Sequence, residues 1–192
     1  MELRTRILPK MLNGEVQEYL KQNDIVIVPV GTVEMHGGLP LDVETNISEA
    51  VGLKMAEACD GLLLTGLQYF YAGATATVQV SVRQGIDYLG AVARSLLRQG
   101  FKRQVYLSLH GPAHMTVGPM VRDFYDETGV PILYLDMTMQ MFGQAKDLFQ
   151  ADSLGKDPKA FMKLLDSMFV GAYQIMGRLG DVPLTTEYDV AI

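Results

Sequence analysis

The run Ile25–Val30, IVIVPV, is apolar at every position and dominated by β-branched residues. A strand with one face in water alternates, so an unbroken apolar run predicts a strand buried on both faces. Before it, GEVQEYLKQ (14–22) reads as a short helix. After it, Asn46 is expected to cap a helix, with Glu49 three residues on as in a capping box. Ile47, Ala50, Val51, Met55 and Ala58 follow at helical spacing. GLLLTGL (61–67) is the next predicted strand, and TATVQVSV (75–82) has the character of an edge or hairpin strand. Leu89, Val92, Leu96 and Leu97 mark a helix that closes near Gly100. QVYLSLHG (104–111) predicts a strand ending at His110, Pro119–Glu127 a helix stopped by Gly129, and VPILYLD (130–136) a further strand. Phe161, Leu164, Leu165, Met168, Phe169, Ala172 and Ile175 form one stripe of a last helix.

Strands alternating with helices define an α/β fold, a mainly parallel sheet with helices on both faces. No repeat, linker or low-complexity tract interrupts it, so residues 1–192 are read as one domain. In such sheets ligands bind beyond the carboxyl ends of the strands. Two of the three histidines fall there, His36 after the first strand and His110 after the strand at 104–109. Glu34 stands two residues before His36, so in extended backbone both side chains point the same way and can address one metal or two adjacent ones. Gly31, Gly37 and Gly38 allow tight turns around them. Asp42 and Glu44 add carboxylates, and charge of this density near a buried strand needs water or a shared cation.

The net charge of −6 argues against nucleic acid or an anionic membrane as the main partner. No apolar run approaches the roughly 20 residues of a membrane span, and the first residues lack a signal-peptide core. A single cysteine, Cys59, is read as packing and fits a reducing cytoplasmic setting. Twelve methionines, several in LDMTMQMF (135–142), read as core or subunit interface, and Met137–Phe149 carries the expectation of a homo-oligomer. Tyr69 and Tyr71, in LQYFYAGAT, line the pocket and orient a substrate or else pack against strands.

These segments resemble the creatininase (creatinine amidohydrolase) family. The likeness begins near ILPKMLNGEVQEYL, is closest at PVGTVEMHGGLPLDVET and continues through SLLRQGFKRQVYLSLHGP to about Leu135. The family pattern is a strand followed by P-V-G-S-x-E-x-H-G-x-H-L-P-L-x-x-D-T, and later a strand ending in N-G-H-G. The resemblance implies a three-layer α/β sandwich, a hexamer, and two divalent metals per chain, zinc or manganese. Position by position, Glu34, His36 and His110 fall on metal ligands, and Glu44 falls on the bridging carboxylate when one residue is deleted after Gly37. Asp42, expected otherwise to face solvent, is the alternative bridge. The second histidine before L-P-L is missing, and a ligand glutamate that some members place two residues after the later histidine is Pro112 here. A fifth ligand is left among His114, Asp136, Glu187 and a neighbouring subunit, and no general acid is identified.

The implied function is a metal-dependent hydrolase. A metal-activated water would attack a carbonyl or amide carbon of a small, cyclic substrate, with a cyclic polyol ketone (a dehydro-inosose) as the alternative substrate class. The competing class is a non-catalytic member serving as structural subunit or small-ligand binder.

Overall fold

The computed structural model describes residues 2–36, 39–73, 76–138 and 170–178. In chain order the elements are α1 (Asn13–Leu20), β1 (Ile25–Pro29), β2 (Val33–Glu34), α2 (Val43–Ala58), β3 (Leu62–Leu63), β4 (Ala76–Val78), α3 (Val82–Gln99), β5 (Arg103–Ser108), α4 (His114–Thr128) and β6 (Ile132–Asp136). A further helical segment covers 170–175. The main sheet runs β3-β1-β5-β6, every neighbouring pair parallel, with Val26 opposite Leu62 and Pro29 opposite Leu107.

The apolar run of β1 is divided between two cores. Val26, Val28 and Val30 pack with Leu62 and Tyr106 against Leu89, Ala93 and Leu96 of α3 and Val117, Met120 and Phe124 of α4. Ile27 points the other way, with Leu63 and Leu107, into a core made with Val43, Ile47 and Ala50 of α2 and with Ala172 and Tyr173. The period of two that divides a strand's side chains therefore meets an apolar layer on each face, which is why the run does not alternate in sequence. Each buried Val or Leu contributes about 1.5–3 kcal/mol by leaving water.

α3 shows the local logic best. Ser81 Oγ accepts from Gln84 N at 3.2 Å, the Gln84 side chain accepts from Ser81 N at 3.0 Å, and Gly100 closes the helix at φ 108°. The hairpin expectation at TATVQVSV is met by β4, which pairs antiparallel with β2.

Other expectations are corrected. α2 begins at Val43, with Asp42 at its cap position, so Asn46 and Glu49 are interior helical residues and not a capping box. Their side chains are occupied elsewhere. Asn46 Nδ2 donates to Asp42 Oδ2 at 2.7 Å, and Glu49 Oε1 accepts from Gly66 N at 2.8 Å. α4 begins at His114 and carries Pro119 inside it. Cys59 is exposed at the end of α2, not packed. Met137–Phe149 lies outside the described residues beyond Thr138, and so does the predicted last helix before residue 170.

Candidate metal centre

β1 and β5 are hydrogen-bonded neighbours, and both deliver their next residues to the same edge. Ser108 Oγ donates to Val30 O at 2.5 Å and accepts from His110 N at 3.0 Å, tying the two strand ends together. The chain after β1 turns into β2, where Glu34 N donates to Leu41 O at 3.0 Å. Gly31 permits this path. A Cβ at position 31 would lie 2.7 Å from Thr45 Cα, so any side chain would push the loop off the first turn of α2. Thr45 Oγ1 then donates to Thr32 O at 2.9 Å and fastens the helix to the loop. Glu44, one residue before Thr45, is thereby brought to Glu34.

Glu34, Glu44 and His110 converge, their ligand-type atoms all within 4.8 Å of one another. His110 Nδ1 lies 2.5 Å from Glu44 Oε2 and 3.2 Å from Glu34 Oε1. His36 Nε2 approaches the same carboxylates, 3.3 Å from Glu34 Oε1 and 3.3 Å from Glu44 Oε1. A tetrahedral cation with ligands at about 2.0–2.2 Å spaces them roughly 3.3–3.6 Å apart, so most of these separations come close to suiting one. The shortest is that of a charge-assisted hydrogen bond and would have to open.

Backbone carbonyls fix the ring nitrogens. His110 Nε2 is 2.9 Å from Tyr71 O, and His36 Nδ1 is 3.2 Å from Glu34 O. A carbonyl only accepts, so each of these nitrogens is the N–H donor and turns the other ring nitrogen toward the carboxylates. For His110, a member of the converging group, this is the outer-shell arrangement that orients ligating histidines.

The same geometry sets the titration. Burial works against the Glu44 charge, but hydrogen bonds and charge from His110 and His36 outweigh it and hold the carboxyl down at about 2. Burial foremost, with the Glu44 charge beside it, pushes Glu34 up. The hydrogen bond to Glu44 raises His36. Burial opposes the His110 charge, yet Glu44, the Tyr71 carbonyl and Glu34 raise it above its ordinary value. Positive charge on the two imidazoles is thus favoured beside the carboxylates, and a dication would supply charge of the same sign.

Each expected residue can now be placed. Glu34, Glu44 and His110 form the cluster, with His36 at its rim. Asp42 is half-buried and its oxygens are engaged elsewhere: Oδ1 accepts from Tyr173 Oη at 2.5 Å and Oδ2 from Asn46. His114 Nδ1 lies 2.8 Å from Gly111 O on the surface, outside the cluster. Glu187 lies outside the described residues. Tyr71 touches the site through its carbonyl, while the ring of Tyr69 is about half exposed. Sequence reasoning did not find the Tyr71 carbonyl, because a backbone group carries no residue-type signal. The close approach of Gly31 to Thr45 was accessible only as a glycine needed for a turn. An apolar groove of about 500 Å³ between α2 and the 170–175 segment is lined by residues such as Ile47, Val51 and Met55 and offers no ligand set.

Comparison with known proteins agrees with this architecture. The model of the creatininase (creatinine amidohydrolase) family matches residues 9–159, and the chain belongs to that family. The 3-dehydro-scyllo-inosose hydrolase of Thermotoga maritima is 34% identical over 107 residues, 53% of this chain and 34% of the relative. The crystal structure of creatinine amidohydrolase (creatininase) superposes with a TM-score of 0.65 at 20% identity, over 70% of this chain and 58% of that one. A mutant creatininase of Zn-Zn type gives 0.65 over the same shares, and creatininase Mn gives 0.64 over 69% and 58%, both at 20% identity. The chain thus spans about a third of the curated relative and somewhat over half of the solved chains, and the structural likeness establishes the fold.

Proposed function

We propose that this chain is a divalent-metal-dependent hydrolase acting on a carbonyl or amide carbon of a small, cyclic molecule. The observation that carries the reading is the convergence of Glu34, Glu44 and His110 beyond the carboxyl ends of β1 and β5. The donor set fits a zinc or manganese ion: two carboxylates and one imidazole, its ring oriented by a backbone carbonyl. A bound ion would lower the pKa of a water and polarise a carbonyl oxygen. The chain's own contribution is to hold the donors. Tyr71 O sets the His110 ring, Thr45 and Gly31 set the spacing of Glu44 from Glu34, and His36 steadies both carboxylates from the solvent side. Tyr69 and Tyr71 are proposed substrate contacts. The family likeness supports an amidohydrolase reaction, and the inosose hydrolase supports a cyclic polyol ketone as the alternative substrate class. A homo-oligomer, hexameric by resemblance, belongs to the same proposal, and a solution mass near the 21.2 kDa of one chain would overturn that part.

The test is hydrolysis of creatinine, related small cyclic amides and 3-dehydro-scyllo-inosose before and after chelation. Turnover of one of them, lost on chelation and restored by Mn²⁺ or Zn²⁺, is the expected result. Bound metal without turnover of any would favour the non-catalytic binder, a reading that Pro112 also favours because it offers no donor where some family members place a glutamate.

A further inference from the structure

The four site residues do not divide evenly between two ions. Glu34, Glu44 and His110 present atoms close enough for one ion to gather. A second ion needs donors of its own, and His36 brings one nitrogen to carboxylates already committed to the first. Among the described residues no further His, Cys, Asp or Glu joins the group. Pro112 sits in the short 3₁₀ turn Gly111–Ala113 that leads from His110 into α4, and its ring has no donor atom.

Charge gives the same answer. One dication balances two carboxylates, whereas a second would leave two positive charges uncompensated in a part-buried site, which is costly. Depth separates the histidines too. The His110 side chain is fully buried under the carboxylates, while that of His36 is 23% exposed. With Nδ1 anchored to Glu34 O, the Nε2 of His36 lies 3.3 Å from one oxygen of each carboxylate, at the solvent side of the cluster.

We propose that this site holds one divalent cation per chain, ligated by Glu34, Glu44 and His110, and that His36 is a positioning residue for the two carboxylates and not the seed of a second ion site. The inference rests on the metal-site reading above. Its test uses the full chain stripped with a chelator and titrated with Mn²⁺ or Zn²⁺ alone by calorimetry, with ions per chain counted by elemental analysis.

One ion per chain is expected. His36→Ala should still bind one ion, about 10–100-fold more weakly, as when an outer-shell partner is lost. His36→Gln, whose amide N–H can reach the same carboxylates, should recover most of that loss. Glu34→Gln and His110→Asn should abolish binding, with circular dichroism confirming that they fold. Two ions per chain would overturn the inference and leave the metal-site reading standing. Loss of the ion in both His36 variants would make His36 a ligand and overturn it as well. No ion in the unaltered chain would overturn both.

Discussion

Two polar clusters flank α2, and they hold carboxylates in opposite ways. On one side, Asp42 and Glu49 are matched oxygen by oxygen. Tyr173 and Asn46 donate to the two oxygens of Asp42, Gly66 N donates to one oxygen of Glu49, and Arg178 Nη2 sits 2.7 Å from the other. On the other side, Glu34 and Glu44 face each other across two shared imidazoles. The first cluster is satisfied by groups that keep their protons at neutral pH. The second depends on protons that histidine readily gives up. A set of acceptors balanced only by titratable donors is built to exchange those protons for a cation, and a set held by fixed donors and a guanidinium is built to hold a fold.

The strongest way to break that comparison is to change one carboxylate in each cluster. Glu44→Gln removes a ligand charge, so metal affinity should fall by more than about 100-fold, beyond the loss of an outer-shell partner. Asp42→Asn should leave metal affinity unchanged and cost about 1 kcal/mol of stability through its bonds with Tyr173 and Asn46. Calorimetry and thermal melts on both variants decide it. Metal loss in Asp42→Asn with Glu44→Gln still loaded would exchange the roles of the two clusters.

Arg178→Ala addresses the structural cluster alone. Arg178 also donates to Asn46 Oδ1 at 2.5 Å, and its removal strands Glu49, whose side chain is 2% exposed. Leaving a buried carboxylate without its half-exposed partner should cost about 1–3 kcal/mol, or roughly 2–12 °C in Tm for a chain of this length. Metal stoichiometry should not change. A loss of metal would show that the 170–178 segment also sets the position of Glu44.

Gly31→Ala should cross the boundary between the clusters. Its Cβ collides with the Thr45 backbone, so the loop carrying Glu34 must move away from the turn carrying Glu44. Overpacking of this kind costs about 1–3 kcal/mol. The informative reading is metal affinity, expected to fall about tenfold because the two carboxylates separate. Unchanged affinity would mean that Gly31 serves the fold and not the site.

Much of this was legible in the sequence because the physics was local. The unbroken apolar run at 25–30, the Ser81 and Gly100 signals that bound α3, and histidines at two strand ends placed the sheet and its carboxyl edge. The beginning of α2 was misread because Asn46 and Glu49 imitate a capping box. Asn46 instead bonds back to Asp42, and the other partners, Arg178 and Gly66, are distant in sequence and leave no periodic trace. Asp42 and Glu44 could not be separated from spacing alone, since both precede the same helix. Only the packing of Tyr173 against Asp42 assigns them.

The smallest expected effect, and the sharpest on the nature of the proposed site, is pH. In the metal-free protein His36 and His110 titrate above the ordinary value of 6.5. Groups raised in this way stabilise the fold below their unfolded pKa and lose that contribution as pH rises through the folded value. Glu44, held down at about 2 from an ordinary 4.5, contributes above 4.5 and loses it only as pH falls toward 2. Glu34, raised, offsets part of this above 4.5. The metal-free cluster therefore stabilises most between about pH 4.5 and 6.5 and weakens toward alkaline pH. The loaded protein should behave in the opposite sense, because an ion competes with protons for His110 Nδ1 and binds more tightly as pH rises. The Tm difference between loaded and stripped protein should thus widen from about pH 5.5 to about pH 8.5. The cluster around Asp42 supplies the internal control. Burial first, then the hydrogen bond to Asp42, holds the Tyr173 hydroxyl far above the neutral range. In Asp42→Asn the widening should persist, and in Glu44→Gln it should vanish. A Tm difference that stays constant across this range would show that the imidazoles do not exchange protons for metal, and that the two sides of α2 do not differ in kind.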